Sequence, residues 1–112
     1  MKASVSIVLC TYNGAKYLSE QLDSILAQTY PPHEIIIQDD NSTDETVDII
    51  HEYACKYSFM KFFKNNSEHG VNGNFISAMQ RATGDYIAIS DQDDIWETDK
   101  IENQMKSIGK NL

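Results

Sequence analysis

Three short runs rich in β-branched and other apolar residues punctuate this chain: Val5-Ser6-Ile7-Val8-Leu9-Cys10, Glu34-Ile35-Ile36-Ile37-Gln38 and Tyr86-Ile87-Ala88-Ile89. Each has strand length and almost no polar alternation, the pattern of a strand buried on both faces. Between the first two, Leu18, Leu22, Ile25, Leu26 and Thr29 recur at helical spacing, and Pro31-Pro32 closes that helix. Ser42 with Glu45 three residues on reads as a capping box, and the helix it opens carries Val47, Ile50, Tyr53, Ala54 and Tyr57. Phe59 to Phe63 form a weaker strand. Phe75, Ala78, Met79 and Ala82 mark a further helix that Gly84 stops, and Ile101, Gln104, Met105 and Ile108 a terminal one. Strand and helix therefore alternate throughout. With right-handed crossovers this predicts an α/β fold of three layers (α/β/α), its mainly parallel sheet having all strand carboxyl ends on one rim.

Charge narrows the function. The formal net charge is −8, from 17 acidic and 9 basic residues, which disfavours nucleic-acid backbones and anionic membranes as partners. No apolar run approaches the ~18 residues of a membrane span. The N-terminus lacks a signal-peptide layout and runs straight into a strand. Cys10 and Cys55 fit no metal or redox spacing and read as plain thiols in a reducing cytosol.

The strand ends carry polar residues that a core does not need. The first leads into Thr11-Tyr12-Asn13-Gly14, able to stack a base and approach a phosphate, or simply to start a helix with Asn13 as cap. The second leads into Asp39-Asp40-Asn41-Ser42. With Ser42 serving as the cap, the two acids are surplus and can accept from a base N–H or from ribose hydroxyls. The most telling is Ser90-Asp91-Gln92-Asp93-Asp94, three carboxylates in four residues directly after a buried strand. Oxygen ligands alone select a hard cation such as Mg²⁺ or Mn²⁺. In an extended segment Asp91 and Asp93 leave on one side and Gln92 elsewhere. Asp94 offers a third ligand, or a hold on water or acceptor. Trp96 reads equally as a wall of the site or as core.

Taken together these residues resemble the nucleotide-binding half of a family-2 glycosyltransferase of the GT-A fold. The resemblance runs in order through Val5 to Asn13, Gln28-Thr29-Tyr30, Asp39 to Thr46, Gly73-Asn74-Phe75, Ala82 to Tyr86 and Asp91 to Trp96. It implies a Rossmann-like sheet and inverting transfer of a sugar from a UDP- or dTDP-type donor to a saccharide or lipid-linked acceptor. The setting it implies is surface-polysaccharide synthesis in the cytoplasm or at the inner face of the membrane. The implied nucleotide contacts are Thr11, Tyr12, Asn13, Asp39, Asp40, Asn74, Asp91 and Gln92. Asp91 and Asp93 are the implied ligands of Mg²⁺ or Mn²⁺, and Asp93 and Asp94 the catalytic acids. Residues 1–112 are thus expected to form the nucleotide-sugar-binding part, with the acceptor half and its general base absent and surface left through which copies could associate. The rivals are a non-catalytic nucleotide- or sugar-binding module and an Mg²⁺-dependent receiver-like phosphoacceptor domain. The receiver would need a Lys after a fifth strand, which is not seen here.

Overall fold

The computed structural model describes residues 3–65, 71–92 and 94–110. Asp93 lies outside them. The elements run β1 (Val5–Thr11), α1 (Ala15–Leu26), β2 (Glu34–Asp39), α2 (Thr46–Lys56), β3 (Met60–Lys64), α3 (Val71–Met79), β4 (Tyr86–Ser90) and α4 (Lys100–Lys110). The four strands form one sheet in the order β3-β2-β1-β4, every neighbouring pair parallel. The alternation read from the sequence therefore holds, and so does the three-layer α/β/α architecture. No helix among the described residues is long and apolar enough to cross a membrane.

Side-chain parity divides the core. Val5, Ile7 and Leu9 of β1 and Ile35 and Ile37 of β2 pack with Leu18, Leu22 and Ile25 of α1, Ile50 of α2 and Ile101 of α4. Val8, Cys10 and Ile36 point to the other face, where Ala78, Phe75 and Met79 of α3 cover them. Burial on both faces explains why β1 and β2 are apolar without alternation. β4 differs: Ile87 and Ile89 share the α3 face but are each 45% exposed at the end of the sheet.

Three helix boundaries depart from expectation, the first being that of α3, which ends at Met79, short of Ala82 and of the Gly84 expected to stop it. α1 ends at Leu26, well before the prolines, because the Thr29 N–H bonds to Thr98 O and Gln28 is buried for other work. α2 begins at Thr46 with Glu45 at its cap position and no side-chain cap bond there, so the Ser42–Glu45 capping box does not form. Asp44 instead accepts from the Thr46 N–H at 3.0 Å.

Strand order is fixed at the amino ends by a polar knot around Glu34, which is 1% exposed. Its carboxylate accepts from Ser6 Oγ (2.6 Å), the Thr83 N–H (2.6 Å), Thr83 Oγ1 (3.0 Å) and Lys61 Nζ (2.9 Å). Burial works against its charge, but those bonds outweigh it and hold the pKa at about 2. Thr83-Gly84-Asp85 are thereby scaffold. Gly84 donates to Ser6 Oγ, and a Cβ there would stand 2.9 Å from the Ser6 backbone nitrogen. Gly84→Ala is expected to destabilise by about 2 kcal/mol, since backbone rather than a pliable side chain must move. A melting temperature within 2 °C or so of the parent chain would show that this approach is looser than drawn.

Candidate active site

Between β2 and β3 the chain moves outward along the sheet, and after α3 it returns to place β4 on the far side of β1. The reversal opens a crevice between β1 and β4 at the strand carboxyl ends, the place where open α/β sheets bind ligands. Three loops meet there: Thr11–Gly14, Asp39–Asp44 and the one that begins at Ser90, with Asp91 and Gln92.

The first two loops are wired to each other. Asp39 is fully buried; Oδ1 accepts from Thr11 Oγ1 (2.6 Å) and Ser42 Oγ (2.5 Å), and Oδ2 from the Ser42 N–H (2.8 Å). Ser42 Oγ in turn accepts from the Asn13 N–H, and Asn13 Oδ1 from the Thr43 N–H. The Gly14 N–H donates to Thr46 Oγ1 and the Ala15 N–H to Asp44. These two amides at the start of α1 are therefore occupied, so Gly14 is not placed here to cradle a phosphate with its own N–H. Hydrogen bonds led by that from the Thr46 hydroxyl hold the Asp44 carboxyl below its usual range. Asn13 and Asn41 adopt positive φ (48° and 62°), a conformation that asparagine tolerates better than most side chains.

The third loop is anchored from below. Gln21 of α1 is fully buried, and its Nε2 donates to Ser90 Oγ (2.9 Å) and Asp91 O (2.6 Å). The Asp94 N–H also reaches Asp91 O (3.1 Å), closing a turn. Gln92 folds back over Gly14, its Oε1 accepting from the Tyr12 N–H at 2.8 Å.

The residues singled out from the sequence thus sort by position. Thr11, Asp39 and the side chain of Asn13 hold loops together. Asn74 is buried, and its amide pairs with the buried Gln38, Oδ1 accepting from Gln38 Nε2 and Nδ2 donating to Gln38 O; this docks α3 on β2. Gln92 is a brace between loops. Left at the rim are the Tyr12 ring, 57% exposed, the half-buried Asp40, which accepts from Asn65 Nδ2 at 3.1 Å, and the exposed Asp91 and Asp94. Asp93 lies outside the described residues. Burial, with Asp40 nearby, pushes the Cys10 thiol up to about 12, so it stays protonated and inert. Trp96 is core, 5% exposed, its Nε1 without a hydrogen-bond partner. A pocket of about 310 Å³ runs past it, lined by Asp94 and residues leading into α4.

Sequence reasoning gives Gln21 no role and places Gln28 only within the family resemblance; in the structure the Gln28 amide satisfies Glu97 O and the Ile101 N–H. The signal existed: both glutamines continue the apolar stripe of Leu18, Leu22 and Ile25, a place where a surface residue does not belong.

A sequence profile described as Glycosyl transferase family 2 matches residues 6–112. The chain belongs to that family. It is 37% identical to a putative teichuronic acid biosynthesis glycosyltransferase, TuaG, of Bacillus subtilis over 94% of its length, and 45% identical over 90% to WfaP of Escherichia coli. WfaP is a UDP-Glc:alpha-D-GlcNAc-diphosphoundecaprenol beta-1,3-glucosyltransferase. The chain spans 42% of TuaG and 39% of WfaP. Among solved structures, Staphylococcus aureus TarS 1-349 superposes with a TM-score of 0.84 at 27% identity, over 96% of this chain and 32% of that 1-349 chain. A mannosyltransferase from Pyrobaculum calidifontis, solved with GDP-Man and Mn²⁺, gives 0.80 at 25% identity over the same shares. The sheet and its two helical layers are accordingly those of the family's GT-A fold.

Proposed function

We propose that this family-2 domain is the donor site of an enzyme that moves a sugar from a nucleoside diphosphate to a saccharide or lipid-linked acceptor during surface-polysaccharide synthesis. The observation that carries the reading is the crevice at the β1–β4 reversal, with Tyr12 and Asp40 on one side and the Asp91–Asp94 turn on the other. Relatives support it: TarS has been solved with UDP and with UDP-GlcNAc, and WfaP is named for a UDP-sugar and a lipid-diphosphate acceptor.

In this reading the Tyr12 ring stacks on the base and Asp40 accepts from its ring N–H, since Asp39 is fully buried with both oxygens already bonded within the loops. Asp91 serves ribose and metal, Asp93 completes the Asp-x-Asp pair, and Asp94 is left for the acceptor side. Among the described residues no group of three acidic, histidine or cysteine side chains is set to hold a metal. That still fits Mg²⁺ or Mn²⁺, which is commonly held by one or two carboxylates plus substrate phosphates. When bound, the ion supplies positive charge to the diphosphate leaving group. The acceptor oxygen bonds to the anomeric carbon as the bond to the diphosphate oxygen breaks on the opposite side, inverting the centre, and the acceptor proton passes to a general base. A lipid-linked acceptor would bring the reaction to the inner face of the membrane.

The test is calorimetric titration of the chain with UDP. Binding is expected with Mn²⁺ present and at least ~10-fold weaker after chelation, since the acidic rim otherwise repels the diphosphate. Equal affinity in both conditions removes the metal, and no affinity for any nucleoside diphosphate removes the donor site.

A further inference from the structure

We infer that Gln92 is a positioning residue that sets the distance between the nucleoside side and the metal side of the crevice. The inference rests on the donor reading above and deepens it. Gln92 follows Asp91 directly, and its amide reaches across the β1–β4 crevice to take the Tyr12 N–H at 2.8 Å. That contact joins residues 80 apart in the chain, and it is the amide of the residue whose ring is exposed for the base. On its other side the same amide rests on Gly14. A Cβ at Gly14 would lie 2.9 Å from Gln92 Cδ and 3.1 and 3.2 Å from Oε1 and Nε2.

Gly14 has φ −108°, which any residue adopts, so backbone freedom does not call for glycine at this position. Room for the Gln92 amide does. The Asp91 turn is thus held at two points: Gln21 ties its backbone to α1, and Gln92 ties it to the loop that precedes α1. A diphosphate linking a base on Tyr12 to a cation at Asp91 must span that fixed gap. Uridine alone, lacking phosphates, does not.

This predicts a split between two ligands. Gln92→Met keeps the length of the side chain and removes the acceptor. Gly14→Ala displaces the amide from beneath, at little cost to the fold because the far end of a flexible side chain is all that must move. Both variants are expected to bind UDP with Mn²⁺ about tenfold more weakly than the parent while holding uridine within about twofold. The double variant is expected to be no worse than either single one, because both disable one brace. Equal losses for uridine and UDP, no loss for either, or additive losses in the double variant would each overturn the inference. A parent chain that binds uridine but gains nothing for UDP from Mn²⁺ overturns the metal reading instead, and the gap-setting role with it.

Discussion

Asp39→Ala is expected to cost about 4 kcal/mol of stability, lowering the melting temperature by roughly 15 °C in a domain of this size. The side chain is fully buried and accepts from Thr11 Oγ1, Ser42 Oγ and the Ser42 N–H. Removing it strands the buried Thr11 hydroxyl and two half-buried Ser42 donors at the point where the first two loops of the site join, besides leaving a cavity, and an unpaired buried donor alone costs about 1–3 kcal/mol. Asp39→Asn should fall between parent and alanine. Its oxygen can keep both hydroxyl partners at the Oδ1 position, but its NH₂ then meets the Ser42 N–H, donor against donor. Asp40→Ala, one residue on, is expected to behave in the opposite way. Asp40 is half-buried at the rim, so stability should stay within about 1 kcal/mol while UDP affinity falls about tenfold or more. Thermal melts and nucleotide titrations on the pair of variants separate the roles. An Asp39→Ala chain that melts with the parent, or an Asp40→Ala chain that binds UDP normally, would undo the division.

That division shows where the sequence stops being legible. A pair of aspartates after a strand announces a rim site, but which one faces the ligand depends on what lies beside the strand end. Here the neighbour is Thr11, 28 residues earlier, whose hydroxyl occupies Asp39. The same limit misplaced Ser42. Its spacing from Glu45 satisfies a local capping pattern, yet its hydroxyl serves Asp39 and the Asn13 N–H across the loop junction. Apolar periodicity, by contrast, carried the fold well. β1 and β2 are buried on both faces, and their unbroken Ile, Val and Leu runs leave a parallel sheet as the only comfortable arrangement. The glutamines lie between these cases. Gln21, Gln28 and Gln38 are buried and bonded to partners that sit far along the chain, such as Asp91, Ile101 and Asn74. Their positions in the apolar pattern gave a hint of burial, but no local rule names a partner 70 residues away. Part of the family resemblance is framework, as the knot of Thr83, Gly84 and Asp85 around Glu34, Ser6 and Ser4 makes plain.

Glu34 supplies the second large effect, and it is pH-dependent. In the folded chain its pKa is about 2 against an ordinary 4.5, so folding favours the ionised form. A carboxyl depressed in this way contributes its full stabilisation above the unfolded value and loses it as pH falls through the folded one. The window is therefore from about pH 4.5 down to about 2, and the contribution at neutral pH is about 3 kcal/mol. Glu34→Gln is expected to lower stability at pH 7 by about 2–3 kcal/mol, since Lys61 is half-exposed and can regain water while Ser6 and Thr83 retain an oxygen to bond. The gap between the two proteins should narrow as pH falls from about 4.5 and close only near pH 2, where the folded parent too becomes protonated at this site. Urea melts at pH 7, 4.5 and 3 would measure this. A constant gap between parent and variant across all three would mean that Glu34 acts by shape and hydrogen bonding alone, and that the strand order at the amino ends does not depend on its charge.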